Sequence, residues 1–192
     1  MNTHRKLLLA CSTVLLPALA NAHPGHEVTQ GALAGLLHPL QGIDHLAAAL
    51  VVGAWAAQRG GALRLGLPTG FVLALLGGVF AAGALQVQAG AVEQLIAASL
   101  LVLGVSVALA WNVHWLPTLA IAAGFAFFHG LAHGQERPVE GALAGYGAGL
   151  AVTTLAVAAV GVAFGTLLAR RRAATSLRWF GAACACAGLT LF

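Results

Sequence analysis

The sequence predicts an all-α integral membrane protein with six transmembrane helices after a cleaved N-terminal signal peptide. Three observations predict this class. First, 60 % of the 192 residues are hydrophobic and 7 % are charged, against roughly 25 % charged in soluble domains. So few charges cannot cover a water-facing surface. Second, six apolar stretches run at about 36–57, 67–86, 91–111, 116–134, 142–169 and 176–192, and a span needs roughly 20 apolar residues. Third, the basic residues collect in alternate connections, as the positive-inside rule requires.

The start of the chain stands apart. "MNTHRKLLLACSTVLLPALANA" joins Arg5 and Lys6 to an apolar run and the small-residue ending Ala20-Asn21-Ala22. That is the pattern of a secretory signal peptide over 1–22, cut after Ala22. Pro17 and the shortness of the run argue against an uncleaved span. Cleavage would remove two of the basic residues behind the formal charge of +4, so the high pI is no sign of a nucleic-acid partner. A periplasmic segment, 23–35, then leads into a transmembrane domain over 36–192.

Orientation follows from the connections. With residue 23 outside, the inner loops "QRGGALRLG" and "RRRAATSLR" carry Arg59, Arg64, Arg170, Arg171, Arg172 and Arg178, and the outer loops carry only Arg137. Trp55, Trp111, Trp115 and Trp179 all fall at inner ends, as an interfacial belt would. The protein is therefore expected in the bacterial inner membrane, with the mature N-terminus and the C-terminus periplasmic. Gly141, Gly145 and Gly149, and then Gly161 and Gly165, recur every fourth residue, a spacing that lets helices pack closely. Cys184 and Cys186 are two apart on a helix, point to different sides and do not imply a disulfide.

Ionisable groups inside spans are costly and mark function by default. The first span carries His38, Asp44 and His45, and the fourth carries His129, His133 and Glu136. Opposite helix directions put both sets in the outer half of the membrane. His38 and His45 are seven residues apart, which is one face of a continuous helix, with Pro39 able to distort the first turn. His129, His133 and Glu136 follow i, i+4, i+7 and form one stripe. Gly42, Gly130 and Gly134 would let the two helices close on each other. Imidazole with carboxylate suits borderline divalent ions such as Ni²⁺, Co²⁺ or Zn²⁺. Asp44 would act as a ligand or orient an imidazole from outside the coordination sphere. Glu93, at the start of span three, and His23 and His26, in the N-terminal "HPGHE", are weaker candidate ligands. His114 reads as interfacial.

"HPLQGIDH", "FAFFHGLAHGQE", "AVEQLIAAS" and the "HPGH" opening resemble the HupE/UreJ family of nickel and cobalt permeases over nearly the whole chain. The resemblance implies six mature helices and uptake of Ni²⁺, or Co²⁺, from the periplasm, supplying enzymes such as hydrogenase or urease. By motif it points to His38, Asp44, His45, His129, His133 and Glu136 as metal-site residues. One position departs: Ala49 stands where the family often has Met, and the chain has no Met after the first residue, so no thioether contributes to metal choice.

Two other classes fit the residues less well. "HGLAH" has the His-x₃-His spacing of a zinc protease, but Gly130 stands in place of the catalytic Glu, and the remaining His are too scattered for a di-iron His-box enzyme. A metal-sensing or metal-binding protein without transport would need no soluble domain merely to bind, but has none to carry a signal. No phosphate-binding loop of the GxxxxGK[ST] kind occurs. The expectation is therefore a secondary transporter or facilitator, not an enzyme, with no permanently bound cofactor. Its partners are the divalent ion and the lipid bilayer. Oligomeric state is left open, a homo-oligomer included.

Overall fold

The structure, a computed structural model, describes residues 27–137 and 142–191. The expected signal peptide, His23 and His26 lie outside the described residues. Among the described residues seven α-helices follow one another: α1 Glu27–Leu37, α2 Ile43–Arg59, α3 Leu63–Leu85, α4 Ala89–Ala108, α5 Trp115–Glu136, α6 Leu143–Arg170 and α7 Ala174–Thr190. Four of them, α3 to α6, are long and apolar enough to cross a membrane. Their outward residues, among them Leu73, Phe80, Val152, Val160 and Phe164, are exposed and apolar. A surface of that kind suits hydrocarbon and not water. At 17 residues, α7 is shorter than these four.

The first apolar stretch is not one helix, and the expected continuous face from His38 to His45 is corrected here. A single 3₁₀ turn, His38–Leu40, follows α1, and the chain turns by 80° before α2. Pro39 has no N–H to donate and a fixed φ. Gly42 then caps α2 with extended backbone, φ −102° and ψ 113°. The break frees carbonyls of α1, and Thr153 on α6 donates its hydroxyl to one of them, Leu36 O, at 2.8 Å. Helix also begins earlier than the apolar stretch, at Glu27.

Glycine sets the packing. A Cβ on Gly78 would collide with the Phe127 carbonyl, and one on Gly130 with the Leu75 carbonyl, so α3 and α5 touch backbone to backbone. Gly134 meets Val79 and Ala82 further along, which makes the pair parallel. Gly53 and Gly161 do the same for α2 and α6, and Gly35 and Gly149 for α1 and α6. Gly104, Gly181 and Gly188 bring α4 and α7 together antiparallel. Gly149, Gly161 and Gly165 thus serve close packing, as their spacing predicts. Gly130 and Gly134 also serve close packing, but with another partner: the expectation was the first span, and they admit α3 instead. On a helix each glycine sits about 100° around from the preceding histidine, so the two residue types face different neighbours. The atoms nearest to a Cβ on Gly42 belong to the Asp44 and His45 side chains.

The opposite end of the bundle is basic. Arg59 donates to the Trp111 and Val113 carbonyls, Gln58 to Val107 and Arg178 to Ala108. Cationic and polar donors there meet the carbonyl-rich end of α4. Trp111, Trp115 and Trp179 are exposed at this end, but Trp55 is fully buried, with Nε1 donating to Trp111 O at 3.2 Å. Trp55 is therefore a core residue and not part of a belt. Cys184 is buried and Cys186 exposed, both as free thiols.

Gly78→Ala should destabilise the fold by about 1–3 kcal/mol through overpacking at the α3–α5 crossing. Gly83→Ala, on the same helix with open space around it, should not destabilise. Melting of the two detergent-solubilised variants against wild type checks this.

Candidate metal centre

The described polar residues of the two motifs meet at one end of the bundle, away from Arg59, Arg170, Arg171, Arg172 and Arg178. α5 carries His129, His133 and Glu136 on one stripe. α2 opens with Asp44 and His45, and the 3₁₀ turn delivers His38 from the other side of the break. The outcome is a file of four imidazoles. His38 lies 4.9 Å from His133, His133 4.2 Å from His45, and His45 4.8 Å from His129, ring centre to ring centre and all edge to face. The file runs from the surface inward. Glu136, at its mouth, is 59 % exposed in its side chain, whereas His133 and His129 are each 2 % exposed.

Three of the four rings, those of His38, His45 and His129, have a polar side-chain neighbour. At the mouth, His38 Nε2 lies 3.1 Å from Glu136 Oε2. One ligand-type atom from each of His38, His133 and Glu136 falls within 4.8 Å of the others, a spacing able to hold a metal ion. Asp44 Oδ1 accepts the His45 backbone N–H and faces His45 Nδ1, each at 2.8 Å. A carboxylate only accepts, so His45 donates from Nδ1 and keeps its lone pair on Nε2. His45 Nε2 is buried and has no hydrogen-bond partner among the described residues, and neither has His133 Nδ1. An unpaired buried polar group costs about 1–3 kcal/mol; Gln58 Oε1 and Arg59 Nε, at the opposite end of the bundle, are the other two such atoms among the described residues.

The surrounding space is graded. A cavity of about 550 Å³ is lined by Asp44, His45, Glu93, Gln135 and Glu136 among others. A second, of about 270 Å³, is lined by His38, Asp44, His45, His133 and Glu136 with Gln41 and Gly42. Deeper, His45, His129 and His133 share with Phe71, Leu75 and Thr154 a void of only about 10 Å³. That is about one water-sized probe.

Glu93 is exposed and lines the large cavity, but it does not join the His38, His133 and Glu136 group. His114 caps α5, its Nδ1 accepting from Leu116 N–H at 3.5 Å. Two residues were missed from sequence. Tyr146, buried on α6, donates to the His133 carbonyl at 3.1 Å and packs against His38 at 5.9 Å. Ser99, fully buried on α4, has its hydroxyl 2.8 Å from His129 Nε2. The single tyrosine of the chain was a usable signal, since a phenol placed within an apolar helix needs a partner. A serine among alanines gives none.

A membrane-type helical bundle with an imidazole file sunk into one end defines a class of protein, and the comparisons identify its family. The HupE / UreJ protein family model matches residues 10–191. The chain is 34 % identical to Protein HupE of Rhizobium leguminosarum bv. viciae over 98 % of its own length and 97 % of that protein's. The chain belongs to the HupE/UreJ family. No solved structure shows a significant match.

Tyr146→Phe keeps the ring against His38 and removes the bond to the His133 carbonyl. It should cost about 0.5–1.5 kcal/mol of stability, read by thermal melting in detergent.

Proposed function

We propose that this protein takes up Ni²⁺, with Co²⁺ as the alternative cargo, across the bacterial inner membrane, and that the imidazole file is its metal path. The observation that carries the reading is the pair of buried, unpartnered nitrogens, His45 Nε2 and His133 Nδ1, on rings whose centres lie 4.2 Å apart. A polar network that only ties helices together satisfies its own donors and acceptors. This one leaves two ring nitrogens unmet, His45 Nε2 with its lone pair, and a borderline divalent cation is the partner an imidazole lone pair suits.

The graded space gives the path a direction. The large cavity, with the carboxylates of Asp44, Glu93 and Glu136 at its wall, has room for a hydrated ion and the charge to attract one. His38, His133 and Glu136 form a first station in the second cavity, and Glu136 and Asp44 line both. The void among His45, His129 and His133 admits nothing larger than about a single water-sized body. An ion passing inward must therefore exchange its water for imidazole, which favours metals that bind nitrogen well over Mg²⁺ or Ca²⁺. His38, Asp44, His45, His129, His133 and Glu136 are the proposed metal-site residues, with Asp44 orienting His45. His23 and His26 would add capture ahead of them.

The arginine-rich end supports the same orientation. Arg59, Arg170, Arg171, Arg172 and Arg178 lie at the end opposite the histidines, where the positive-inside rule puts the cytoplasm. With the α1–α2 pair and α7 each counted as a crossing, the chain makes six passes, and the histidines face the periplasm. A signal peptide over 1–22 is consistent with that orientation. Supply of nickel to hydrogenase or urease is the physiological role this reading implies.

Cells lacking other nickel transporters should accumulate ⁶³Ni²⁺ when they express the wild type. His129→Ala, at matched membrane expression, should reduce uptake at least about tenfold. Absence of wild-type uptake for both Ni²⁺ and Co²⁺ would sink the transport reading; full uptake by the variant would remove His129 from the path. In detergent, Ni²⁺ at about 100 times its Kd should stabilise the wild type by about 2.7 kcal/mol. A His45→Ala, His133→Ala double variant should lose that shift.

A further inference from the structure

We infer that Ser99 fixes the tautomer of His129, placing the ring proton on Nε2, so that a metal ion meets this imidazole at Nδ1 while it meets His45 at Nε2. The metal half of this inference rests on the functional reading above; the tautomer half stands without it.

The argument is one of proton counting. A serine hydroxyl has one proton to give and lone pairs to accept with. Ser99 Oγ lies 2.6 Å from Ile96 O and 2.8 Å from His129 Nε2. The Ile96 carbonyl has no proton, and 2.6 Å is near the short end of O–H···O bonds. Two oxygens held that close without a proton between them would set lone pair against lone pair. The hydroxyl proton therefore lies on the Ile96 bond, a local side chain-to-backbone bond of a kind serine forms within helices. Ser99 can then only accept from His129, so Nε2 is the ring's N–H. A neutral imidazole carries one proton, which leaves the lone pair on Nδ1.

Neighbouring His45 is set the other way. Its Nδ1–H goes to Asp44, and Nε2 keeps the lone pair. The two rings are 4.8 Å apart and are locked in opposite tautomers by two chemically different groups, a carboxylate on α2 and a hydroxyl on α4. Neither setting needs an ion to be present. The Ser99 proton is fixed by its own helix, so His129 is oriented before any metal arrives. Such outer partners commonly govern metal affinity as strongly as some ligands do. Ser99 is thus a positioning residue: it acts through His129 and need not touch the ion.

The test reads the proton directly. Full-length protein labelled with ¹³C,¹⁵N-histidine is placed in liposomes, stripped with chelator and studied by magic-angle-spinning NMR. The His129 signal is identified by its loss in His129→Gln. The expected result is a proton on Nε2 in wild type and on Nδ1, wholly or in part, in Ser99→Ala. Ser99→Thr, which keeps a hydroxyl, should restore the wild-type pattern; if it does not fold, the wild type and Ser99→Ala decide. Ni²⁺ affinity, titrated on the same samples, should fall about 10–100-fold in Ser99→Ala. A wild-type proton on Nδ1, or an unchanged His129 spectrum in Ser99→Ala, overturns the inference. A moved proton with unchanged Ni²⁺ affinity upholds the tautomer half and overturns the metal half by striking His129 from the ligands. Absence of Ni²⁺ binding in every variant overturns the functional reading, and the spectrum still decides the tautomer.

Discussion

The contact on which the histidine site depends is the close approach of α5 to α3. Gly78, Gly130 and Gly134 remove the side chains that would hold the two backbones apart. With lipid as solvent there is little hydrophobic drive between helices, and such close van der Waals packing is a main source of association. Seating the glycine face of α5 on α3 fixes the helix's rotation. Its histidine face, about 100° away, is thereby turned towards α2 and α4. His129 and His133 become buried as a consequence of where the glycines go.

The second constraint is the broken start of the bundle. A straight helix through His38 and His45 would present both imidazoles from one side. The turn through Pro39 and Gly42 lets His38 reach the mouth of the file beside Glu136 while His45 enters its middle. α6 is long enough, at 28 residues, to support both pieces. It packs on α1 through Gly149 and on α2 through Gly161, and Thr153 satisfies a carbonyl that the break exposes. Tyr146 joins the two arrangements, since it touches His38 and holds the His133 carbonyl.

Polar groups in such a bundle are expensive, and most of those described here are accounted for. Arg59, Gln58 and Arg178 meet carbonyls at the end of α4, Ser106 bonds back to its own helix, and Thr118 does the same. Four buried atoms have no partner among the described residues: Gln58 Oε1 and Arg59 Nε at the arginine end, and His45 Nε2 and His133 Nδ1, whose rings lie 4.2 Å apart in the histidine file. His45 and His133 line a void too small for a hydrated ion, below cavities wide enough for one. On the proposed reading, this ordering of space and donors lets a cation shed water in stages while it gains nitrogen ligands.

Much of the site is legible in the residues. The i, i+4, i+7 spacing on α5 places three groups on one face whatever the surroundings, because helical geometry is local. The membrane class follows from composition, because a chain with so few charges has no other way to cover itself. The departures are tertiary. Pro39 warns of a distortion, but only packing on α6 makes it an 80° turn. Gly130 and Gly134 announce a close contact without naming the partner, which turns out to be α3 and not the first span. Trp55 has the composition of a belt residue and the position of a core one. Ser99 is invisible until α4 lies beside α5, because one hydroxyl among alanines has meaning only through the nitrogen it faces. The sequence by itself determined which groups lie along each helix, since backbone hydrogen bonding sets that spacing locally. Which of them meet, and which lone pairs stay open, was decided by helix rotation and backbone contact, and those depend on residues far apart in the chain.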